Sequence, residues 1–133
     1  MSLRRLVVVG AALAAVATAA NLILAMGLRS ALEVPAGFSP LNAPSVASMT
    51  ILGMIGATGA FGWIARVRPD PRVTFLRIAL AALVLSWVPD LVIWLTGVFS
   101  ATTGSGILSL MTLHLVAAAC AVGILCRFGL AAE

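Results

Sequence analysis

Two side chains in the apolar interior of this chain could hold or pass a proton: Asp90, within SWVPDLVIW, and His114, within LMTLHLVAA. A carboxylate and an imidazole can form an ion pair, share a proton or orient one another for acid-base work. An ionised carboxylate at the centre of a membrane helix costs about 2.5 to 3.5 kcal/mol on insertion scales. Asp90 must therefore stay protonated or meet a partner, and His114 is the one histidine in the chain. Contact between the two is expected. Pro89 bears on the same place, because it offers no N–H to the carbonyl of Leu85 and its ring crowds that carbonyl, so the helix should bend there. The freed carbonyl then needs a donor, for which Asn21, Thr18 or a water is suited.

Other chemistries find less support. No nucleophile motif flanks the pair, a single histidine cannot build a metal site, and it could ligate a haem only singly. Cys120 and Cys126 are six apart on one helix, about 240° around its axis, so they cannot act as a CxxC couple. No metal and no cofactor is expected. An acid-base enzyme is the weaker rival of a binding protein, and a proton-coupled transporter on four spans would need a dimer to build its pathway.

The elements that position these residues follow from composition. The chain has 133 residues, 62% of them hydrophobic and 9% charged, with a mean hydropathy of +1.19, far from the make-up of an average soluble domain. Four apolar stretches, residues 6–28, 46–64, 73–99 and 107–128, are each long enough to cross roughly 30 Å of hydrocarbon as a helix. Continuous apolar runs exclude the alternation of a barrel strand. The fold class is thus all-α: one integral membrane four-helix bundle over residues 1–133, multi-pass in the inner (plasma) membrane.

Every basic residue is arginine, and the positive-inside rule sets the orientation. Arg4, Arg5, Arg66, Arg68, Arg72, Arg77 and Arg127 fall on one side and only Arg29 on the other, which places both termini in the cytoplasm. These arginines hug span ends and form no separate basic surface, so the net charge of +4 points to anionic headgroups and not to nucleic acid. Arg4, Arg5, the run from Leu6 to Val16 and Ala17-Thr18-Ala19 also resemble a cleavable signal peptide. The apolar run continues to Leu28, however, and an uncleaved first span is expected.

Between the first two spans, residues 29–45 carry Pro35, Gly37, Pro40 and Pro44 together with Phe38 and Leu41. A solvated connector is expected there, with an ordered lid as the alternative. The RVRPDPR segment, residues 66–72, should form a short turn.

Small residues mark helix contacts in a bilayer. Gly53, Gly56, Gly59 and Gly62 recur every third residue on the second span, a stripe that winds slowly around the helix and can serve several neighbours, another subunit included. Counted inward from the outer span ends at about 1.5 Å per residue, Asn21 and His114 lie roughly 10 Å deep and Asp90 about 14 Å deep, with Thr50 in the same layer. Two readings follow. The polar groups only lock helix register, each hydrogen bond being worth about 0.6 kcal/mol on average, or they form the base of an outer-leaflet pocket. In the second reading Asn21, Thr50, Ser86, Trp87, Asp90, Trp94 and His114 bind a lipid or other amphiphile, with Met54 and Met111 in the wall. Trp63 serves as an interfacial anchor, and Trp87 and Trp94 could simply face lipid.

Three short segments resemble a known pattern: Phe38-Ser39-Pro40-Leu41, Ser86 with Pro89-Asp90, and His114-Leu115-Val116-Ala117-Ala118. They are similar to those of a bacterial, largely actinobacterial, four-span membrane family of unknown function, in which methionine would stand where this chain has Leu113. The resemblance implies a four-span fold and supports the same residues, but no mechanism. The expected function is binding or transport of a small hydrophobic or amphiphilic molecule, in contact with membrane lipids and as a homo-oligomer. The alternative is a non-catalytic partner subunit or assembly factor that packs against another membrane protein.

Overall fold

A computed structural model describes residues 2–130. Four helices follow one another: α1 Leu3–Ala31, α2 Ala43–Val67, α3 Pro71–Thr96 and α4 Gly104–Phe128, with a 3-10 turn at Ser39–Leu41 between α1 and α2. Each is long and apolar enough to span a membrane. All four begin two or three residues before the expected bounds, mainly because their N-terminal caps lie outside the apolar runs, whereas α3 ends three residues short of residue 99 and α4 ends at residue 128 as expected. Ser2, Asn42 and Thr103 accept from the backbone N–H three residues on, at 3.4, 3.0 and 3.1 Å, which satisfies donors that the first turn leaves free. Pro71, read as a breaker, instead opens α3, where its missing N–H costs nothing. The third helix stops at Gly97, whose φ of 59° is the left-handed conformation that glycine adopts without strain.

Packing is uneven. Helix α1 contacts α2 and α4 extensively, and α3 leans on α4 but touches α2 sparingly. The first core cluster joins Leu6, Leu13 and Ala17 of α1 to Met54, Phe61 and Ile64 of α2, Phe75 of α3 and Leu125 of α4. Two close approaches hold α1 to α2. Leu6 lies directly over Gly62, and a Cβ on Gly10 would stand 2.6 Å from Thr58 Cγ2. The arginine-bearing ends meet at one end of the bundle, where Arg5 Nε donates to the carbonyl of Phe128 at 3.0 Å.

At the opposite end the loop is no solvated connector. Val34, Phe38 and Leu41 are buried and pack with Ala25, Val46, Ile107 and Leu113 into a second cluster. Helix α1 ends with Glu33 in a left-handed conformation (φ 51°), and the Val34 N–H reaches back to the Arg29 carbonyl at 3.0 Å, which turns the chain over the bundle. Arg29 Nη2 then donates to the Phe38 carbonyl at 3.3 Å. The Phe38 ring sits against Gly106, where a Cβ would come within 2.9 Å of it. Three apolar anchors outweigh the prolines that made this segment look like a plain connector.

A half-open cleft between α2 and α3

The buried polar groups and their partners come from all four helices. Asn21 Nδ2 donates to Thr50 Oγ1 at 3.0 Å, both residues buried, tying α1 to α2. His114 Nε2 lies 3.2 Å from Asp90 Oδ2, tying α4 to α3, as the sequence requires of a carboxylate with one available partner. The two atoms are in close polar contact without an aligned hydrogen bond, and among the described residues Asp90 Oδ2 accepts none. Thr18 Oγ1 and Asn21 Oδ1 are likewise buried without a hydrogen-bond partner. Asn21 Nδ2 donates to Thr50 and Thr18 Oγ1 has no partner among the described residues, so neither serves the carbonyl freed by Pro89. Helix α3 continues through Pro89 to Thr96.

Exposure distinguishes the two members of the pair. The Asp90 side chain is 4% exposed and that of His114 is 39% exposed. What His114 borders is a cavity of about 320 Å³, open on one side. Helix α2 contributes Gly53, Gly56 and Ala60 to it, α3 contributes Phe75, Ala82 and Ser86, and α4 contributes His114, Ala118 and Ala121. No loop residue lines it. Its mouth is flanked by the exposed Gly53 and Gly56 on one side and the exposed Ile78 and Ala82 on the other, so it opens on the flank of the bundle along the sparse α2–α3 seam.

Two contacts keep the seam from closing or sliding. Toward the arginine end Phe61 and Phe75 meet edge to face, centroids 5.1 Å apart, and pin α2 to α3. Toward the other end Trp87 Nε1 donates to the Met111 carbonyl at 3.3 Å and pins α3 to α4. Between these pins most of the facing residues are glycine and alanine, too short to fill the gap.

The cavity reaches from the middle of the bundle toward the arginine end, not into the opposite half, where the pocket was expected. That half is occupied by Phe38, Leu41, Ile107 and Leu113. Of the residues expected to bind a ligand, Ser86 and His114 line the cavity, while Asn21, Thr50, Trp87, Asp90 and Trp94 do not. Trp94 is exposed on the bundle surface, as is Trp63. In the glycine stripe Gly53 and Gly56 border the cleft and Gly62 receives Leu6, whereas nothing packs over Gly53, Gly56 or Gly59. The Ala79, Ala82 and Ser86 face of α3 lines the cleft and stands off from α2.

Polar chemistry in the lining is sparse, limited to the side chains of Ser86 and His114. Ser86 Oγ donates to the Leu83 carbonyl at 2.7 Å and keeps lone pairs to accept. Among the described residues no group of three or more His, Cys, Asp or Glu side chains clusters for a metal. Residues 1–129 match a family model described as "Family of unknown function (DUF6069)". That match spans the three segments on which the resemblance to a four-span family rested. No curated protein and no solved structure matches the chain.

Proposed function

Because the chain belongs to the DUF6069 family of unknown function, we propose its role from geometry alone: it binds, and by lateral exchange moves, a small hydrophobic molecule in the α2–α3 cleft. The carrying observation is that His114, the one histidine of the chain, borders a flank-opening cavity while its buried partner Asp90 stands behind it. A pair needed only for helix register gains nothing from leaving its imidazole 39% exposed beside an open cavity. A volume of about 320 Å³ lies at the lower end of the range for small-molecule sites, roughly 300 to 1,000 Å³. The molecule enters from the bilayer, since helix walls and not loops surround the mouth. The arginine end is taken as cytoplasmic and the membrane as the plasma membrane on the positive-inside argument.

Native mass spectrometry with gentle detergent removal tests this reading. A small molecule retained by the native protein and lost from Ala79→Leu/Ala82→Leu, in which the cleft is filled, is the expected result. Equal retention by both proteins overturns it.

A second reading is favoured by a separate observation: among the described residues nothing packs over Gly53, Gly56 and Gly59, and only Phe75 and Asp90 of α3 are buried. Such a surface suits a helix of a second membrane protein or a second copy of this chain. Stoichiometric co-purification of a protein partner, with no small molecule retained, would support that role instead.

A further inference from the structure

The cleft lining restricts what its occupant can be. No arginine borders it, and its polar groups are Ser86 and His114. The serine hydroxyl has already given its proton to the Leu83 carbonyl, so it can only accept. With a proton on Nε2, the nitrogen 3.2 Å from Asp90 Oδ2, Nδ1 is an acceptor. Among the described residues no hydrogen bond reaches Nδ1 from the protein.

An anionic headgroup finds nothing here to hold it. The Asp90–His114 pair is neutral when both groups are charged and negative when only the carboxylate is, so a phosphate or sulfate would be repelled or at best ignored, in a medium that screens charge poorly. The wall is otherwise glycine, alanine, methionine, phenylalanine, isoleucine and leucine, which takes a hydrocarbon chain or a small ring. What the free acceptors require is a donor.

We propose that the occupant is a neutral, lipid-soluble molecule whose buried end carries a hydroxyl that donates to His114, with Ser86 as the neighbouring acceptor. This rests on the reading of the cleft as a ligand site. A hydroxyl supplies its one proton to the imidazole, brings no charge into the bilayer, and leaves an apolar body to fill the alanine-lined length between the Phe61–Phe75 contact and His114.

The test uses Trp87, the neighbour of Ser86, as reporter. With Trp63→Phe and Trp94→Phe, both at exposed positions, it is the one tryptophan left of three. The protein is placed in nanodiscs of unbrominated phospholipid and titrated with a brominated long-chain alcohol, its methyl ether and the alkyl phosphate of the same chain. Quenching should saturate with the alcohol, saturate about tenfold more weakly with the ether, which lacks the donor, and rise only linearly with the phosphate. His114→Leu should weaken the alcohol by about the same tenfold factor, and Ala79→Leu/Ala82→Leu should abolish saturation. The alcohol and ether comparison needs no substitution at the site, so it holds even if His114→Leu misfolds. If the ether or the phosphate saturates as tightly as the alcohol, and filling the cleft still abolishes saturation, the hydroxyl assignment fails and the cleft remains a binding site. If no probe saturates, or if saturation survives in the filled cleft, both readings fall.

Discussion

His114 Nε2 stands 3.2 Å from Asp90 Oδ2, yet the imidazole is 39% exposed and the carboxylate 4%. The two therefore lose different things when separated. Deprived of Asp90, the histidine can stay neutral and still reach the cleft. Deprived of His114, the carboxylate is left buried, with almost no access to solvent and, at Oδ2, no partner.

Unequal single substitutions follow. Asp90→Asn should cost about 1 kcal/mol, near the upper range for a lost polar contact between membrane helices. His114→Leu should cost about 3 to 5 kcal/mol, the penalty for stranding a buried charge. The double variant should be more stable than His114→Leu alone, because the stranded charge goes with the aspartate. Unfolding in bicelles by graded addition of a denaturing detergent measures all three. Equal effects of the two single changes would refute the asymmetry.

The Asn21 and Thr50 hydrogen bond, 3.0 Å and buried, gives a second cycle. Thr50→Val strands the Asn21 amide beside an Oδ1 that already lacks a partner, at a cost of about 1 to 3 kcal/mol. Asn21→Leu with Thr50→Val removes donor and acceptor together and should recover most of that loss, since replacing both partners by apolar groups is nearly neutral. The same unfolding assay applies, and a double variant no better than Thr50→Val would count against it.

How much of this was visible in the chain depends on the range of the interaction. The four spans were, because each is set by a local apolar run, and the Asp90–His114 contact was, because a costly carboxylate had one titratable partner at its depth. The helix ends were not, since Ser2, Asn42 and Thr103 act as caps only once the preceding backbone turns away. The docking of Phe38 was missed for a stronger reason. Its pocket is made of Ala25, Val46, Ile107 and Leu113 from three helices, and no periodicity within a loop encodes that. The same holds for the cleft: a row of glycines and alanines reads as close packing, and only the sparse α2–α3 contact shows that here it leaves a gap.

The loop anchor yields a third expectation. Phe38 is fully buried, so Phe38→Ala should destabilise by about 3 to 5 kcal/mol, and it should expose the segment around residues 34–41 to proteolysis in detergent. Gly106→Ala places a methyl within 2.9 Å of the ring and should cost about 1 to 3 kcal/mol by overpacking. Limited proteolysis with mass mapping decides the matter: a Phe38→Ala loop as protected as the native one would mean that the ring contributes little to holding it.

Glycines on the two faces of the bundle should respond oppositely to a methyl group. At Gly10 the new Cβ would lie 2.6 Å from Thr58 Cγ2, between α1 and α2, where neither backbone can give way without loosening the first core cluster. Gly10→Ala should therefore destabilise the monomer by about 1 to 3 kcal/mol. At Gly56 and Gly59 nothing lies within 4 Å, so alanine there meets no steric obstacle and should leave monomer stability within about 0.5 kcal/mol of native, the usual span for surface changes. Association tells more than stability at these positions. If the open stripe receives a helix of a second copy, Gly56→Leu/Gly59→Leu keeps the fold but lowers the oligomeric fraction seen by cross-linking in nanodiscs. If the cleft serves a small molecule instead, the oligomeric fraction stays as it was and the quenching titration at Trp87 shifts, because Gly56 borders the mouth and Gly59 does not line the cavity. Gly59→Leu alone then separates the roles, since only helix docking should feel it.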